Sequence, residues 1–268
     1  MVRIYIGIIL FFVAATTQAQ SIKKLKRMKT AFIQNASVDR LGNFFLEFSD
    51  GQIKKYDPDG KMMARLKTQN LPTLLEPWFH PKIFAYYQKD MRIVNYNRMF
   101  EVSDDFKLDA SIAIEPTLVC PTNDNRFLVL DEADLSIKKF ENNQNRVLNE
   151  FKIDTTHWNK HFQFSFMREY LHLIFLLDKN QGIIIVNELG KTMKHLPVKV
   201  ENFGFFGEEL FYLLGNKIIF FDLYSGNTRE LTLAAGKFGI VTDERIFIVN
   251  EKEVVVYQFN PDKPDDKE

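Results

Sequence analysis

The sequence predicts an all-β protein, a six-bladed β-propeller with four-stranded blades. Three observations carry that prediction. A strand motif recurs about every 40 residues: Ile53-Lys54-Lys55-Tyr56-Asp57 returns as Ile137-Lys138-Lys139-Phe140-Glu141, with weaker copies at 93–97, 183–187, 218–222 and 254–258. Turn residues separate the strands, and no helical periodicity runs between them. The last repeat lacks one strand, while the first is preceded by a spare one. A period of this size built from short strands is the mark of a propeller. A β-sandwich pair or a β-helix would also give short strands, but neither explains the missing and the spare strand together. Strands of about 5–7 residues fall short of the 9–11 that cross a bilayer, which argues against an outer-membrane barrel.

The elements follow in order. In blade one, residues 31–38 form strand A and 43–48 strand B. The Ser49-Asp50-Gly51 turn leads to strand C at 52–56. Asp57-Pro58-Asp59-Gly60 then turns into strand D at 61–67. Pro58 presets φ, and Gly60 accepts a positive φ. Blade two takes 83–87, 92–96 and 100–108. Blade three takes 127–130, 136–140 and 146–153. Blade four takes 171–177, 182–186 and 192–200. Blade five takes 209–214, 217–221 and 228–233, and blade six 245–249 and 253–259. Glu76-Pro77 repeats as Glu115-Pro116, and Phe203-Gly204 as Phe238-Gly239. All four pairs are expected where an A strand begins beside the central channel. Gly204 and Gly239 are expected there for close packing. Blade six has no fourth strand, so 22–28 is expected to pair as its outer strand and close the ring. Closure leaves few exposed edges. Residues 260–268, polar and broken by Pro261 and Pro264, read as a disordered tail.

The N-terminus has the form of a secretory signal. Arg3 precedes a short apolar run, and Thr17-Gln18-Ala19 supplies a small-x-small cleavage site. The run is too short to span about 30 Å of hydrocarbon. Residues 1–19 are therefore read as a signal peptide and 20–259 as the propeller, with the mature protein periplasmic or extracellular. No cysteine lies near Ala19 to carry a bacterial lipid anchor. The single cysteine, Cys120, permits no internal disulfide, so the fold must stand on its core. Its apolar neighbours mark it as a core residue. Losing Arg3 leaves 34 basic residues against 35 acidic ones, which gives no field for nucleic acid or anionic lipid. The 26 Phe residues fall mostly in strands, where their rings can fill the space between packed sheets.

The segment from Gly42 to Lys61, with its Ile53-Lys54-Lys55-Tyr56-Asp57 strand and its Gly60-Lys61 turn, resembles an NHL-type propeller repeat. Residues 183–191 repeat its second half. The resemblance implies a six-bladed fold. Sugar-lactonase-like and other enzymes share that shape, but a shared fold does not transfer chemistry.

Candidate sites are sparse. Glu76 and Glu115 lie in the neighbourhood where a metal-dependent six-bladed hydrolase would gather ligands, but no matching Asn and Asp set stands out in blades four to six. Trp78-Phe79-His80-Pro81 is read as the connection between blades one and two. Thr155 to His161, which includes His157 and Trp158, is read as the connection between blades three and four. Such D-to-A connections open on one face of the disc. They are either a contact surface or indoles wedged between blades. His157 and His161 have i, i+4 spacing, but the segment lacks helical periodicity and no zinc site is expected. No nucleophile elbow or phosphate loop occurs.

The expected function is a secreted, non-catalytic binding or scaffold module of the bacterial cell envelope. It would recognise a protein or glycan through Trp78, His80, Glu76, Glu115, His157, Trp158 and His161. No metal, cofactor, nucleic acid or membrane insertion is expected, and the chain is expected to be a monomer or a subunit of a complex. The alternative is a channel-centred metal-dependent hydrolase or lactonase-like enzyme. At least three acidic or amide side chains gathered at the channel mouth would favour it.

Overall fold

The computed structural model describes residues 22–79, 81–141, 146–156, 158 and 161–260. The signal segment, His80, His157 and residues 261–268 lie outside the described residues. Six four-stranded antiparallel sheets form the six blades. Blade one is β2 (Ile33–Val38), β3 (Phe44–Phe48), β4 (Gln52–Tyr56) and β5 (Met62–Lys67). Blade two is β6 (Leu74–Glu76), β7 (Ile83–Tyr87), β8 (Arg92–Tyr96) and β9 (Val102–Lys107). Blade three is β10 (Pro116–Pro121), β11 (Phe127–Asp131), β12 (Ser136–Glu141) and β13 (Arg146–Lys152). Blade four is β14 (Phe164–Tyr170), β15 (Leu173–Asp178), β16 (Gly182–Asn187) and β17 (Thr192–Leu196). Blade five is β18 (Phe203–Phe206), β19 (Glu209–Leu214), β20 (Lys217–Asp222) and β21 (Thr228–Thr232).

Blade six is the expected closure. Its sheet order is β1-β24-β23-β22, from β1 (Lys23–Lys29), β22 (Phe238–Val241), β23 (Arg245–Asn250) and β24 (Glu253–Gln258). The N-terminal strand is its outer strand, antiparallel to β24 from Lys23↔Gln258 to Lys29↔Glu253.

Burial follows position in the blade. The B strands are sandwiched between neighbouring blades, and all five residues of β3 are buried. Phe44, Leu46 and Phe48 pack towards blade six with Phe238 and Phe247, while Phe45 packs towards blade two with Leu75, Ile83 and Tyr96. One strand thus feeds two interblade cores, which explains why it is buried on both faces, Glu47 included. The outer D strands have only one covered face, and β5 alternates between exposed and partly buried residues. The anticipated role of Gly204 holds, because a Cβ there would collide with the Phe211 ring.

The acid or amide that ends the repeat motif is structural. Asp57 Oδ1 accepts the Lys61 amide at 2.7 Å. Asn97 Oδ1 accepts the amides of Met99 and Glu101, and Asn187 Oδ1 those of Leu189 and Lys191. Asp222 Oδ1 does the same for Tyr224 and Ser225. Each caps the turn from strand C to strand D, as short polar side chains do in tight turns.

Two placements differ from the sequence reading. Glu76 ends β6 instead of starting it, whereas Glu115 immediately precedes β10. Trp78 and Phe79 therefore lie in the turn from β6 to β7, within blade two, and not between blades. The A strands all run the same way along the channel. A-to-B and C-to-D turns thus share one disc face, and D-to-A connections and B-to-C turns share the other. Glu76 and Trp78 belong to the first face. Glu115, Trp158 and His161 belong to the second.

Candidate functional site

Three spaces lie in line along the channel. A recess of about 570 Å³ opens on the D-to-A face, between Asn35, Glu47, Ser165, Lys179, Lys199 and Glu201. A waist of only about 60 Å³ follows, shared by Asn35, Ser165 and Glu201 with the recess and bounded beyond by Trp78 and Arg168. A second recess of about 410 Å³ opens on the A-to-B face, lined by Arg40, Leu41, Trp78, Phe205, Phe206 and Glu244 among others.

Trp78 and a buried ion pair form the far side of the waist. Arg168, in β14, donates to Glu76 through Nε at 2.6 Å and Nη2 at 2.9 Å. Glu76 is fully buried and Arg168 nearly so. The fork geometry of two parallel bonds suits a desolvated pair. Glu76 Oε1 also accepts the Trp78 amide at 3.0 Å, which orients the start of the turn. The Trp78 indole lies 5.3 Å from the Arg168 guanidinium and 5.5 Å from that of Arg40, within cation–π range of both. Tyr170 meets it edge-on at 6.4 Å.

Arg40 is held in place by its own turn. Asp39, buried at the end of β2, accepts the amides of Leu41 and Asn43 and the side-chain amide of Asn43, and its carboxylate lies 3.5 Å from buried Lys55. That rigid turn presents exposed Arg40 over Trp78 and Phe79, and Arg40 Nη2 donates to Asn123 Oδ1 of blade three. Within this cluster the Trp78 Nε1–H is buried without a hydrogen-bond partner among the described residues, as is Ser37 Oγ, which also lines the waist.

The opposite mouth carries a different chemistry. Glu47, in β3, is 1% exposed, and its Oε1 has no hydrogen-bond partner among the described residues. Burial pushes its carboxyl up to about 8, against a smaller downward pull from an Asn35 hydrogen bond. The protonated acid therefore predominates at neutral pH. A strongly shifted acid in a cavity is a functional-site signal.

The remaining anticipated residues scatter. Trp158 is partly buried against the core of blades two to four, near Phe162 and His195, and His161 is exposed beside it. Glu115 is exposed, with its amide bound by Asp131. The described members of the set expected on one face are split between two, and His80 and His157 lie outside the described residues. Sequence reasoning missed Arg40, Glu47 and Arg168. A charge inside an apolar strand, as in Phe44-Phe45-Leu46-Glu47-Phe48, was the available signal for the last two.

No protein-family model matches the chain, and no curated protein matches it in sequence. Solved structures do. The chain is similar to virginiamycin B lyase from Staphylococcus aureus at 11% identity and TM-score 0.55, over 89% of this chain and 100% of that one. BamB from Moraxella catarrhalis matches at 7% identity and TM-score 0.50, over 89% and 100% of the two chains. The Pan2 WD40 domain of Neurospora crassa matches at 9% identity and TM-score 0.55, over 92% and 98%. At these identities the likeness establishes the β-propeller fold and carries no chemistry across.

Proposed function

We propose that the chain is a secreted binding module of the bacterial cell envelope and that it recognises a protein or glycan through its A-to-B face. The observation that carries the reading is the recess beside Trp78. Its wall is mixed: Trp78, Phe205 and Phe206 are aromatic, and Arg40, Thr242, Asp243 and Glu244 bring polar groups. Arg40 stands exposed at its rim, and the buried Trp78 indole N–H has no acceptor among the described residues. Concavities that combine aromatic surface with oriented polar groups serve recognition, and Trp and Arg are the usual anchors of contact surfaces. Exposed Leu41, Leu189 and Tyr224 on the same face extend the apolar surface outward. Secretion rests on the signal-like segment 1–19. N-terminal sequencing of the exported protein should begin near Gln20.

The test is sedimentation of the purified protein with isolated envelope fractions. Arg40→Ala and Trp78→Ala should each weaken binding about tenfold or more, as truncation of a contact anchor does. Trp158→Ala, on the other face, should leave it unchanged. Arg40 is exposed, so its variant separates loss of contact from loss of fold. Full binding by folded Arg40→Ala would move the interface elsewhere.

One observation favours a second reading, a channel-centred hydrolase. Gln34, Asn35, Glu47 and Glu201 gather at the D-to-A mouth, where Glu47 is a protonated acid near neutral pH. Ester or lactone turnover abolished by Glu47→Gln and untouched by Arg40→Ala would favour the enzyme.

A further inference from the structure

We propose that Glu169, His172 and Glu188 bind a divalent transition-metal ion of the Zn²⁺ class. One ligating atom from each lies within 4.8 Å of the other two. The site is separate from both channel mouths and does not depend on the binding reading above.

The fold brings the three together by register. Glu169 pairs with Ile174, and Ile174 pairs with Val186. Leu173 pairs with Asn187, so His172 and Glu188 come next across the two strands. Glu169 stands near the end of β14, and His172 and Glu188 stand in the two turns that adjoin it at the same end of blade four, where their ligating atoms converge. The chain reverses between β14 and β15 in two residues, Leu171 and His172, at φ 49° and 61°. Glu188 sits in the turn whose amides Asn187 Oδ1 caps, so its backbone is fixed as well.

The local charges leave neither carboxylate an ion-pair partner among the described residues. Glu169 is 8% exposed, and its Oε2 accepts the Asn123 amide at 3.2 Å. The nearby ammonium of Lys139 pairs with Asp124 at 2.9 Å, and Arg126 pairs with Asp124 and Glu141. Among the described residues no Lys or Arg forms an ion pair with Glu169 or Glu188. A buried carboxylate facing a second carboxylate is costly until a positive charge joins them.

The donor set selects the ion. An imidazole nitrogen with two carboxylates suits Zn²⁺ and its neighbours, whereas Ca²⁺ and Mg²⁺ take oxygen ligands throughout. Donors around tetrahedral Zn²⁺ lie about 3.3 Å apart, so the cluster has at most roughly 1.5 Å to tighten. His172 and Glu188 are exposed and free to make that movement. Three protein donors leave a fourth position for water or for a donor from a partner.

Titration calorimetry of the untagged protein with Zn²⁺, and Co²⁺ absorption spectra, test the site. One equivalent is expected, with visible bands of a four-coordinate Co²⁺ complex. His172→Ala and Glu188→Gln, both at exposed positions, should each weaken binding at least tenfold while leaving the fold intact by circular dichroism. Absence of Zn²⁺ binding overturns the proposal. So does binding that survives in the double variant, which would place the metal at another histidine. Binding of Ca²⁺ in preference to Zn²⁺ overturns it as well.

Discussion

Glu47 shows what one side chain can impose on a fold. It interrupts an otherwise apolar strand, is almost wholly buried, and has one oxygen without a hydrogen-bond partner among the described residues. The folded state holds its proton up to about pH 8, whereas an unfolded chain releases it near the ordinary carboxyl value of 4.5. Between those two values the native state binds more protons than the unfolded one. The stabilisation is present below about pH 4.5 and is lost as pH rises through 8, by up to about 1.4 kcal/mol per pH unit. Denaturant titrations from pH 5 to 9 should therefore show declining stability in the wild type. Glu47→Gln, neutral at every pH, should flatten that decline and be the more stable protein at pH 9. Equal slopes in the two proteins would mean that water reaches the carboxyl. The residues of the channel were only partly legible for a related reason. Trp78 announces itself beside a proline turn, but the partners that give it a role, Arg168 and Arg40, are 90 and 38 positions away. Nothing local in a sequence encodes such a pairing.

At the level of the strand, β1 is the element on which the ring depends. It lies outside blade one in sequence and supplies the fourth strand of blade six. Met28 packs with the core between blades one and six, and Ile22 with the core between blades five and six. Removing residues 20–29 should expose the outer edge of β24 and both of those cores. The expected outcome is a large fall in melting temperature for the whole protein, with aggregation on heating. An unchanged melting temperature would mean that the ring does not need its closing strand. The B, C and D strands were legible because each ends on a turn with its own residue chemistry, and β4, β7, β8 and β19 have the anticipated bounds. The A strand of blade two was not. It is only three residues long, and Glu76-Pro77 imitates the Glu115-Pro116 pair that stands at the opposite end of its own strand. Similar words in corresponding repeats carried opposite positions, which moved Trp78 from one disc face to the other.

The molecule as a whole has no covalent staple, so its integrity is that of a closed ring of interblade cores. Cys120 is placed to report on it. The thiol sits in the inner strand of blade three, fully buried in the core that joins blades two, three and four, and burial pushes its ionisation well above the ordinary thiol range. A buried neutral thiol reacts only when the protein opens. Because blade three is flanked by packed blades on both sides and the ring has no free end, exposing β10 requires opening the ring and not merely fraying an edge. The rate of Cys120 labelling by a thiol-specific disulfide reagent should therefore rise with urea along the same slope as global unfolding, and reductant should leave the melting temperature unchanged. A much shallower slope would show that blade three leaves the ring alone. The β1 deletion connects the two scales: once the ring has a free end, Cys120 on the far side should label faster in native buffer even though no residue near it has changed.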